Sequence, residues 1–296
     1  MAGGFTGWWQ TLPSRIDPFI IEIGSFRVGW YGMMYVAAYM AFYLYSRYRI
    51  RHEGLGGNLY TDEILQDFLL WSAFGLIIGA RLGYVFFYNF SYYIGHPLEI
   101  ILPIDPATGR YTGISGMSYH GGLLGSIFAA LVFFRRHGLS FLRFIDDFIV
   151  GIPLGYIFGR LGNFINGELY GRATDVPWGM FFPSDPEHVL RHPSQLYEAF
   201  LEGVVLFVIL WALRNRKFAQ GLRFPIYLIG YGSVRFIVEF FRQPDAQLGF
   251  VLWSFSLGQI LCFAMVIGGL ALGVYQKTVL KAFWDSGLGE AKPKSG

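Results

Sequence analysis

The sequence predicts an all-α polytopic integral membrane protein, with about seven transmembrane helices and elaborated outer loops. Of its 296 residues, 54% are hydrophobic and only 15% are charged, whereas a soluble domain usually has about 25% charged residues. Several apolar runs are close to 20 residues long, which is the length that crosses a bilayer as a helix.

Seven apolar segments predict spans, although the third and fourth are polar at their ends and weak on hydropathy alone. Their approximate bounds are 27–46, 67–89, 119–136, 143–160, 197–214, 223–241 and 256–275. We find no internal repeat and no second domain. Residues 1–296 are therefore expected to form one membrane domain, with 287–296 as a disordered cytoplasmic tail.

Basic residues favour one set of alternate loops. That set carries the clusters within Arg47–Arg51, Arg135–Arg143, Arg214–Arg223 and Lys277–Lys294. Because cytoplasmic loops hold the excess of Lys and Arg, the amino terminus is predicted outside and the carboxyl terminus in the cytoplasm. Residues 1–25 lack the pattern of a cleavable signal peptide.

The most informative segment is Gly159–Gly171, at the outer end of the fourth predicted span. It holds Arg160, Asn163, Asn166, Glu168 and four glycines within thirteen positions. A charge at the bilayer centre costs roughly 3 kcal/mol on insertion scales. Polar groups at a span end therefore predict a pocket at the membrane surface, where glycines allow close backbone approach.

The sixth predicted span carries a second polar group. Tyr231, Arg235 and Glu239 are four residues apart and so share one helix face. Arg235 and Glu239 can form a structural ion pair that joins helices, but charges within the membrane are functional candidates by default. Arg242 follows directly after this span.

Three arginines are expected near one membrane depth, namely Arg81, Arg160 and Arg235. A guanidinium presents paired donors that suit phosphate oxygens, and it stays charged in a poorly hydrated site. The alternative, strongest for Arg81, is that the side chain extends to lipid headgroups without taking part in catalysis. The arrangement favours a phosphate-bearing headgroup as the ligand.

His120 lies among small residues where the chain enters the third predicted span. A lone histidine is often structural, but imidazole accepts a proton near neutral pH, as a general base must. His192 is a weaker candidate because Pro193 follows it directly. Protease dyads of His120 with Ser118, or of His192 with Ser194, are conceivable but carry no specific signature.

Other chemistries lack their motifs. The chain has no Gly-x-Ser-x-Gly elbow, His-Glu-x-x-His zinc motif, Walker loop or Gly-x-Gly-x-x-Gly fingerprint. The single cysteine, Cys262, is interpreted as buried filler in an apolar run. Asp146 and Asp147 are interpreted as a solvated helix end near Arg143.

These segments resemble the bacterial prolipoprotein diacylglyceryl transferase family over roughly residues 17–275. Gly159–Gly171 is similar to the family signature. Supporting similarity lies in Trp30–Gly32, Gly79–Tyr84, Met117–Gly122, Arg191–Glu198 and Gly230–Asp245.

The resemblance implies a seven-span inner-membrane enzyme whose active site opens to the periplasm. Such an enzyme moves the diacylglyceryl group of phosphatidylglycerol, a membrane lipid, onto the lipobox cysteine of a prolipoprotein signal peptide. The products are a thioether-linked precursor and glycerol 1-phosphate, in the first step of lipoprotein maturation. No metal, organic cofactor or nucleic acid is expected.

The resemblance also implies residue roles. Arg160 and Arg235 would bind the lipid and act in catalysis, and His120 is our candidate base. Glu168 and Glu239 would orient the arginines. Further substrate-site residues are expected to be Tyr31, Arg81, Asn163, Asn166, Gly171, Tyr231 and Arg242.

Two other functions compete with a transferase. A lipid or anion transporter also suits arginines that line a cavity, but it predicts polar residues that continue to the inner face. Here they cluster towards one side. A non-enzymatic lipid-binding scaffold is the third hypothesis, and detection of chemical turnover would separate the enzyme from both.

Overall fold

A computed structural model describes residues 5–24, 26–102, 116–243, 250–252 and 255–280, and it is mostly helical. The predicted tail, 287–296, lies outside the described residues. The described α-helices are α1 (Phe5–Gln10), α2 (Trp30–Glu53), α3 (Asp62–Tyr88), α4 (Phe90–Gly95), α5 (Tyr119–His137), α6 (Phe141–Phe148), α7 (Ile152–Ile165), α8 (Ser194–Glu198), α9 (Leu206–Leu213), α10 (Arg223–Val238) and α11 (Leu257–Tyr275).

Short elements complete the described chain. Strands β1 (Phe19–Ile23) and β2 (Phe26–Gly29) form one two-stranded sheet, and β3 (Phe250–Leu252) pairs antiparallel with β4 (Phe255–Ser256). The 3₁₀ segments are Leu12–Arg15, Pro97–Ile100, Ile149–Gly151 and Lys217–Ala219, and the π-helical segments are Ala199–Val205 and Gln276–Leu280.

Each of the seven predicted spans overlaps helix. Among the described residues, three helical stretches are long and apolar enough to cross a membrane: Asp62–Tyr88, Ser194–Leu213 and Leu257–Thr278. The second of these is α8, the first π-helical segment and α9 read as one continuous helix. The chain is thus a helical protein with membrane-spanning segments.

The fourth predicted span differs from a single helix over 143–160. It is divided into α6, a 3₁₀ turn and α7, with Pro153 in the first turn of α7. Proline lacks an N–H and crowds the carbonyl four residues earlier, so a regular helix breaks there. At its other end α7 continues to Ile165, which places Asn163 on a helix rather than in a loop.

The chain divides into two compact units. Unit 1 comprises 1–20, 29–45 and 145–296, and unit 2 comprises 21–28 and 46–144. The single membrane domain expected from the sequence stays a prediction.

Unit 2 is built on close packing of α3 against α5. A Cβ atom at Gly79 would lie 2.4 Å from the carbonyl oxygen of Gly121 and 2.7 Å from the Cα of Gly125. Glycines facing one another in this way let two helix backbones approach closely, which favours association where no hydrophobic effect drives it. Both helices begin at a capping hydroxyl, from Thr61 and Ser118 respectively.

Unit 1 buries charged groups that the sequence placed in solvent. Asp146 is 4% exposed. It accepts hydrogen bonds from the Arg223 guanidinium at 3.1 Å and from the backbone N–H groups of Gly221 and Phe224. The interpretation of Asp146 as a solvated helix end is therefore wrong, because a buried carboxylate here is neutralised by a partner 77 residues away. Cys262 is buried as predicted.

Candidate active site: an arginine pair held by buried carboxylates

Glu198 joins the two arginines that the sequence analysis singled out. Its side chain is fully buried. One carboxylate oxygen lies 2.7 Å from the Nε of Arg160 on α7, and the other lies 3.2 Å from a guanidinium nitrogen of Arg235 on α10. A single carboxylate at the end of α8 thus holds both guanidiniums in one place.

A tyrosine and a second glutamate complete this bridge. The Tyr156 hydroxyl donates to Glu202 at 2.5 Å and to Glu198 at 3.2 Å. Glu202 also lies 3.8 Å from Arg235. The guanidinium carbon of Arg160 sits 4.8 Å from the centre of the Tyr156 ring, a cation–π distance. Tyr156 therefore contacts both the cation and the carboxylates that orient it.

The helix that carries the two glutamates is π-helical from Ala199 to Val205. Such wider turns are rare, and they occur frequently at functional sites. Here the segment begins directly after Glu198 and contains Glu202, and both carboxylates reach Arg235. The local distortion thus accompanies the placement of two acidic side chains around one cation.

Arg160 is also connected to the remainder of the Gly159–Gly171 segment. It donates to the Asn163 side-chain oxygen at 3.3 Å, and the Asn163 amide donates to Glu168 at 2.8 Å. Gly167 and Leu169 both have positive φ, at 66° and 58°. These left-handed residues turn the chain back on either side of Glu168, so its carboxylate reaches Asn163.

Two buried side chains fix this turn to the start of α8. The Ser194 hydroxyl donates to the Leu169 carbonyl at 3.0 Å, and the Gln195 amide donates to the Glu168 carbonyl at 2.7 Å. The serine is therefore engaged in structure. His192, its conceivable protease partner, bonds through Nδ1 to the Tyr197 hydroxyl, so the conceivable dyad is not formed.

Arg235 has its third acidic neighbour on its own helix. A guanidinium nitrogen lies 2.9 Å from Glu239, which confirms the predicted pairing four residues apart. Glu239 also accepts from the Ser256 hydroxyl at 3.0 Å. A Cβ at Gly258 would lie 2.7 Å from the same carboxylate, so this glycine leaves it room.

The ion pairs around Glu198 form a largely buried cluster of charges. Two arginines face three carboxylates, from Glu198, Glu202 and Glu239. Unpaired buried charges are strongly destabilising, so each arginine needs such partners to stay in place. A guanidinium held at fixed geometry is preorganised to bind an anion, because little side-chain freedom remains to be lost.

The backbone of Gly171 joins its segment to two neighbouring parts of the chain. Its N–H donates to the His192 carbonyl at 2.8 Å, and the neighbouring Arg172 N–H donates to the Phe241 carbonyl at 2.9 Å. A Cβ at Gly171 would meet that Phe241 oxygen at 2.4 Å. Glycine is therefore required for three chain segments to cross. Arg242 forms the bridge partner of Gly171 in this crossing.

The other predicted residues of unit 1 lie around the same segments. The Tyr31 hydroxyl is 3.2 Å from that of Tyr35. The Tyr231 ring packs edge-on against Tyr156, with 5.7 Å between centroids. Asn166 is exposed at the end of α7.

Arg81 and His120 belong to unit 2. Arg81 donates to the backbone carbonyls of Glu99, Ile100 and Gly116, at 2.6 to 3.2 Å. It thereby fixes the chain that follows α4 and the chain that precedes α5. His120 is exposed in the first turn of α5. Its role as a base stays a prediction, as does the role of Arg81 in substrate binding.

Sequence reasoning missed Glu198, Glu202 and Tyr156. Glu202 interrupts the fifth predicted span, and an acidic residue within an apolar run is itself a signal of function. Glu198 precedes it by four residues and lies within a segment already used for the resemblance. In the structure, Glu198 orients both arginines directly, whereas Glu168 acts on Arg160 through Asn163.

A separate ion pair stabilises the chain between Tyr170 and His192. Arg191 binds Asp185 through two nitrogens, each at 2.8 Å, and both side chains are buried. The Arg191 guanidinium holds the pKa of Asp185 below its usual range. Asp185 also accepts from the backbone N–H groups of Glu187 and Val189. This carboxylate thus fixes the conformation of the segment.

Among the described residues, no three His, Cys, Asp or Glu side chains are grouped to hold a metal ion. The expectation that no cofactor is needed stays a prediction.

The apolar helices and the buried ion pairs of Arg160 and Arg235 define a helical membrane protein with a charged cluster in its interior. The profile of one family, described as prolipoprotein diacylglyceryl transferase, matches residues 18–275. The chain belongs to this family.

Named relatives support the assignment over nearly the whole chain. A phosphatidylglycerol–prolipoprotein diacylglyceryl transferase of Chlorobaculum tepidum is 50% identical over 275 residues, which cover 92% of this chain and 94% of the relative. Relatives of the same name from Bordetella avium and Methylobacillus flagellatus are 47% and 46% identical. Those alignments cover 88% and 87% of this chain, and 94% and 95% of the relatives.

Replacing Glu198 by Gln tests the bridge. The change leaves Arg160 and Arg235 without a shared counter-charge, and it should lower the free energy of unfolding by about 3 kcal/mol, as for other broken buried pairs. The control is Glu187→Gln, since the Glu187 side chain is 67% exposed beside Arg191 and should contribute less than about 1 kcal/mol. Unfolding is measured in detergent, and equal effects of the two variants would contradict the bridge.

The depressed pKa of Asp185 predicts acid sensitivity in its segment. Stability from its ionised form is present above about pH 4, the ordinary range for Asp, and is lost as pH falls through the lower folded-state pKa. Amide exchange at Glu187 and Val189, corrected for intrinsic rates, should accelerate over that interval. Asp185→Asn should exchange faster already at pH 6 with a flatter profile, whereas the exposed Asp175→Asn should behave as wild type. An unchanged profile in Asp185→Asn would show that Arg191 does not act through this carboxylate.

Proposed function

We propose that this chain transfers the diacylglyceryl group of phosphatidylglycerol to the lipobox cysteine of a prolipoprotein signal peptide. The family assignment and the names of the relatives supply the reaction class. The observation that carries the proposal to particular residues is the Glu198 carboxylate, which holds Arg160 and Arg235 side by side.

The chemistry needs a nucleophile, a proton acceptor and a stabilised leaving group. The substrate cysteine supplies the sulfur, which reacts as its thiolate. A carbon–sulfur bond forms at the glyceryl carbon as the carbon–oxygen bond to phosphate breaks. The electron pair leaves with the phosphate oxygen, which gives glycerol 1-phosphate and a thioether.

The arginine pair stabilises the leaving group in this proposal. Negative charge increases on the phosphate as the bond to carbon breaks, and Arg160 and Arg235 offer planar donors to its oxygens. Because Glu198 and Tyr156 already orient the guanidiniums, little reorganisation is needed when the charge develops. Tyr31 and Tyr231 would position the headgroup through hydrogen bonds, with Asn163 and Glu168 maintaining the shape of the segment.

His120 is proposed as the group that accepts the thiol proton. His120 is exposed at the start of α5. A neutral imidazole is suited to proton transfer near pH 7.

The topology proposed for this reaction has seven membrane spans in a bacterial inner membrane. The amino terminus and the active site face the periplasm, and the carboxyl terminus faces the cytoplasm. The unequal distribution of basic residues among the loops supports this orientation. A substrate signal peptide would then present its cysteine from the same side as the arginine pair.

Arg160→Ala should abolish most transfer. Labelled phosphatidylglycerol and a lipobox peptide are the substrates, and the measured quantity is labelled thioether product. Loss of one preorganised electrostatic contact costs about 10²–10³ in kcat, and Arg160→Lys should recover little because lysine lacks the planar donors. Arg27→Ala is the control, since Arg27 lies in an exposed ion pair with Glu22. Turnover by Arg160→Ala at the wild-type rate would remove Arg160 from the mechanism.

His120→Gln should lower turnover about 10²-fold or more, the usual contribution of a general base. Lipid binding should remain close to wild type, because glutamine keeps a polar side chain of similar reach. Binding and single-turnover rates are measured separately as pH is varied. Wild-type turnover in this variant would assign the proton transfer to another group.

A further inference from the structure

An apolar groove lies in unit 1. Its volume is about 330 Å³, and its walls include Trp9, Trp178, Leu196, Tyr197, Phe200 and Leu201. Four of these residues belong to the beginning of the apolar helix Ser194–Leu213. The other two are contributed by α1 and by the chain between α7 and α8. Phe200 and Trp178 are more than half exposed, at 57% and 51%.

The polar atoms of the aromatic walls are already bonded to protein. The Trp9 ring N–H donates to the Trp178 carbonyl at 3.0 Å, and the Trp178 ring N–H donates to the Tyr197 hydroxyl at 2.7 Å. That hydroxyl also lies 3.1 Å from His192 Nδ1. The three rings therefore present hydrocarbon surface to the groove.

This surface selects the chemistry of an occupant. A peptide segment in extended conformation would bring backbone N–H and C=O groups, each of which needs a hydrogen-bond partner when it leaves water. A hydrocarbon chain has no such need. The lining therefore favours an acyl chain over an extended peptide segment.

One helix carries both the groove residues and the two glutamates that hold the arginine pair. Leu196, Tyr197, Phe200 and Leu201 interleave in sequence with Glu198 and Glu202, which hold the guanidiniums. Residues that line the groove and residues that hold the cations thus lie on different sides of one helix, and a helix has a diameter of about 10–12 Å. The glycerol backbone and first acyl carbons of a phospholipid can bridge that distance.

We propose that this groove holds one acyl chain of the phospholipid whose phosphate is bound by Arg160 and Arg235. The inference rests on the proposed function and adds the place of the hydrocarbon. The anionic phosphate complements the cations, and the chain complements the apolar groove. Four of the groove's lining residues belong to a helix long and apolar enough to cross a membrane. Chain and headgroup together would fix the glyceryl carbon for attack.

Substitution at Leu201 tests the groove by filling it. Leu201→Trp should raise KM at least threefold for phosphatidylglycerol with sixteen-carbon chains and leave KM unchanged for eight-carbon chains. Val208→Trp is the matched control, because Val208 is 57% exposed farther along the same helix. Equal shifts for both lipids, or equal effects of the two variants, would overturn the proposal.

Photolabelling of the wild-type protein gives a readout that is independent of turnover. Phosphatidylglycerol with a diazirine near the chain terminus should label Trp178, Phe200 or Leu201, as located by mass spectrometry, and should do so more than matched phosphatidylcholine. Equal labelling by both lipids would indicate annular lipid only and overturn the proposal. Labelling of the groove by a photoreactive lipobox peptide instead would assign it to the peptide.

The two proposals fail in distinguishable ways. Wild-type protein that transfers no diacylglyceryl group refutes the proposed function. Wild-type protein that transfers the group, but shows neither selective labelling nor chain-length dependence in Leu201→Trp, refutes the acyl groove alone.

Discussion

The interaction on which the site depends is the carboxylate of Glu198 between Arg160 and Arg235. It is fully buried and contacts both guanidiniums through different oxygens. Two cations held this close repel one another, and a shared anion between them offsets that repulsion. Tyr156 extends the arrangement by donating to both glutamates and by placing its ring against Arg160. The result is a pair of cations held side by side by a shared carboxylate.

Much of the surrounding structure brings α7 and α10 to the carboxylate at the end of α8. The π-helical segment after Glu198 accompanies the placement of Glu202, and Gln195 fixes the start of α8 to the Glu168 carbonyl. Gly171 lets neighbouring segments cross at distances that a Cβ would prevent. Together, these contacts determine the geometry of the arginine pair.

The sequence predicted the helices because a membrane span needs a long apolar run. Such a run is a local feature, made of residues that follow one another in the chain. It also predicted the Arg235–Glu239 pair, since residues four apart share a helix face. It did not predict Glu198 as the bridge, because Glu198 lies 38 positions after Arg160 and 37 positions before Arg235. Asp146 was misplaced for the same reason, as its partner Arg223 is far away in the chain. Long-range ion pairs leave no local periodicity.

The proposed function depends on binding of the lipid phosphate by Arg160 and Arg235. The most direct measurement is a structure with phosphatidylglycerol bound, at a resolution that locates the phosphorus atom. We expect phosphate oxygens within hydrogen-bond distance of both Arg160 and Arg235, with Glu198 still contacting each guanidinium. A headgroup bound elsewhere, with the arginine pair contacting only its own carboxylates, would contradict this expectation.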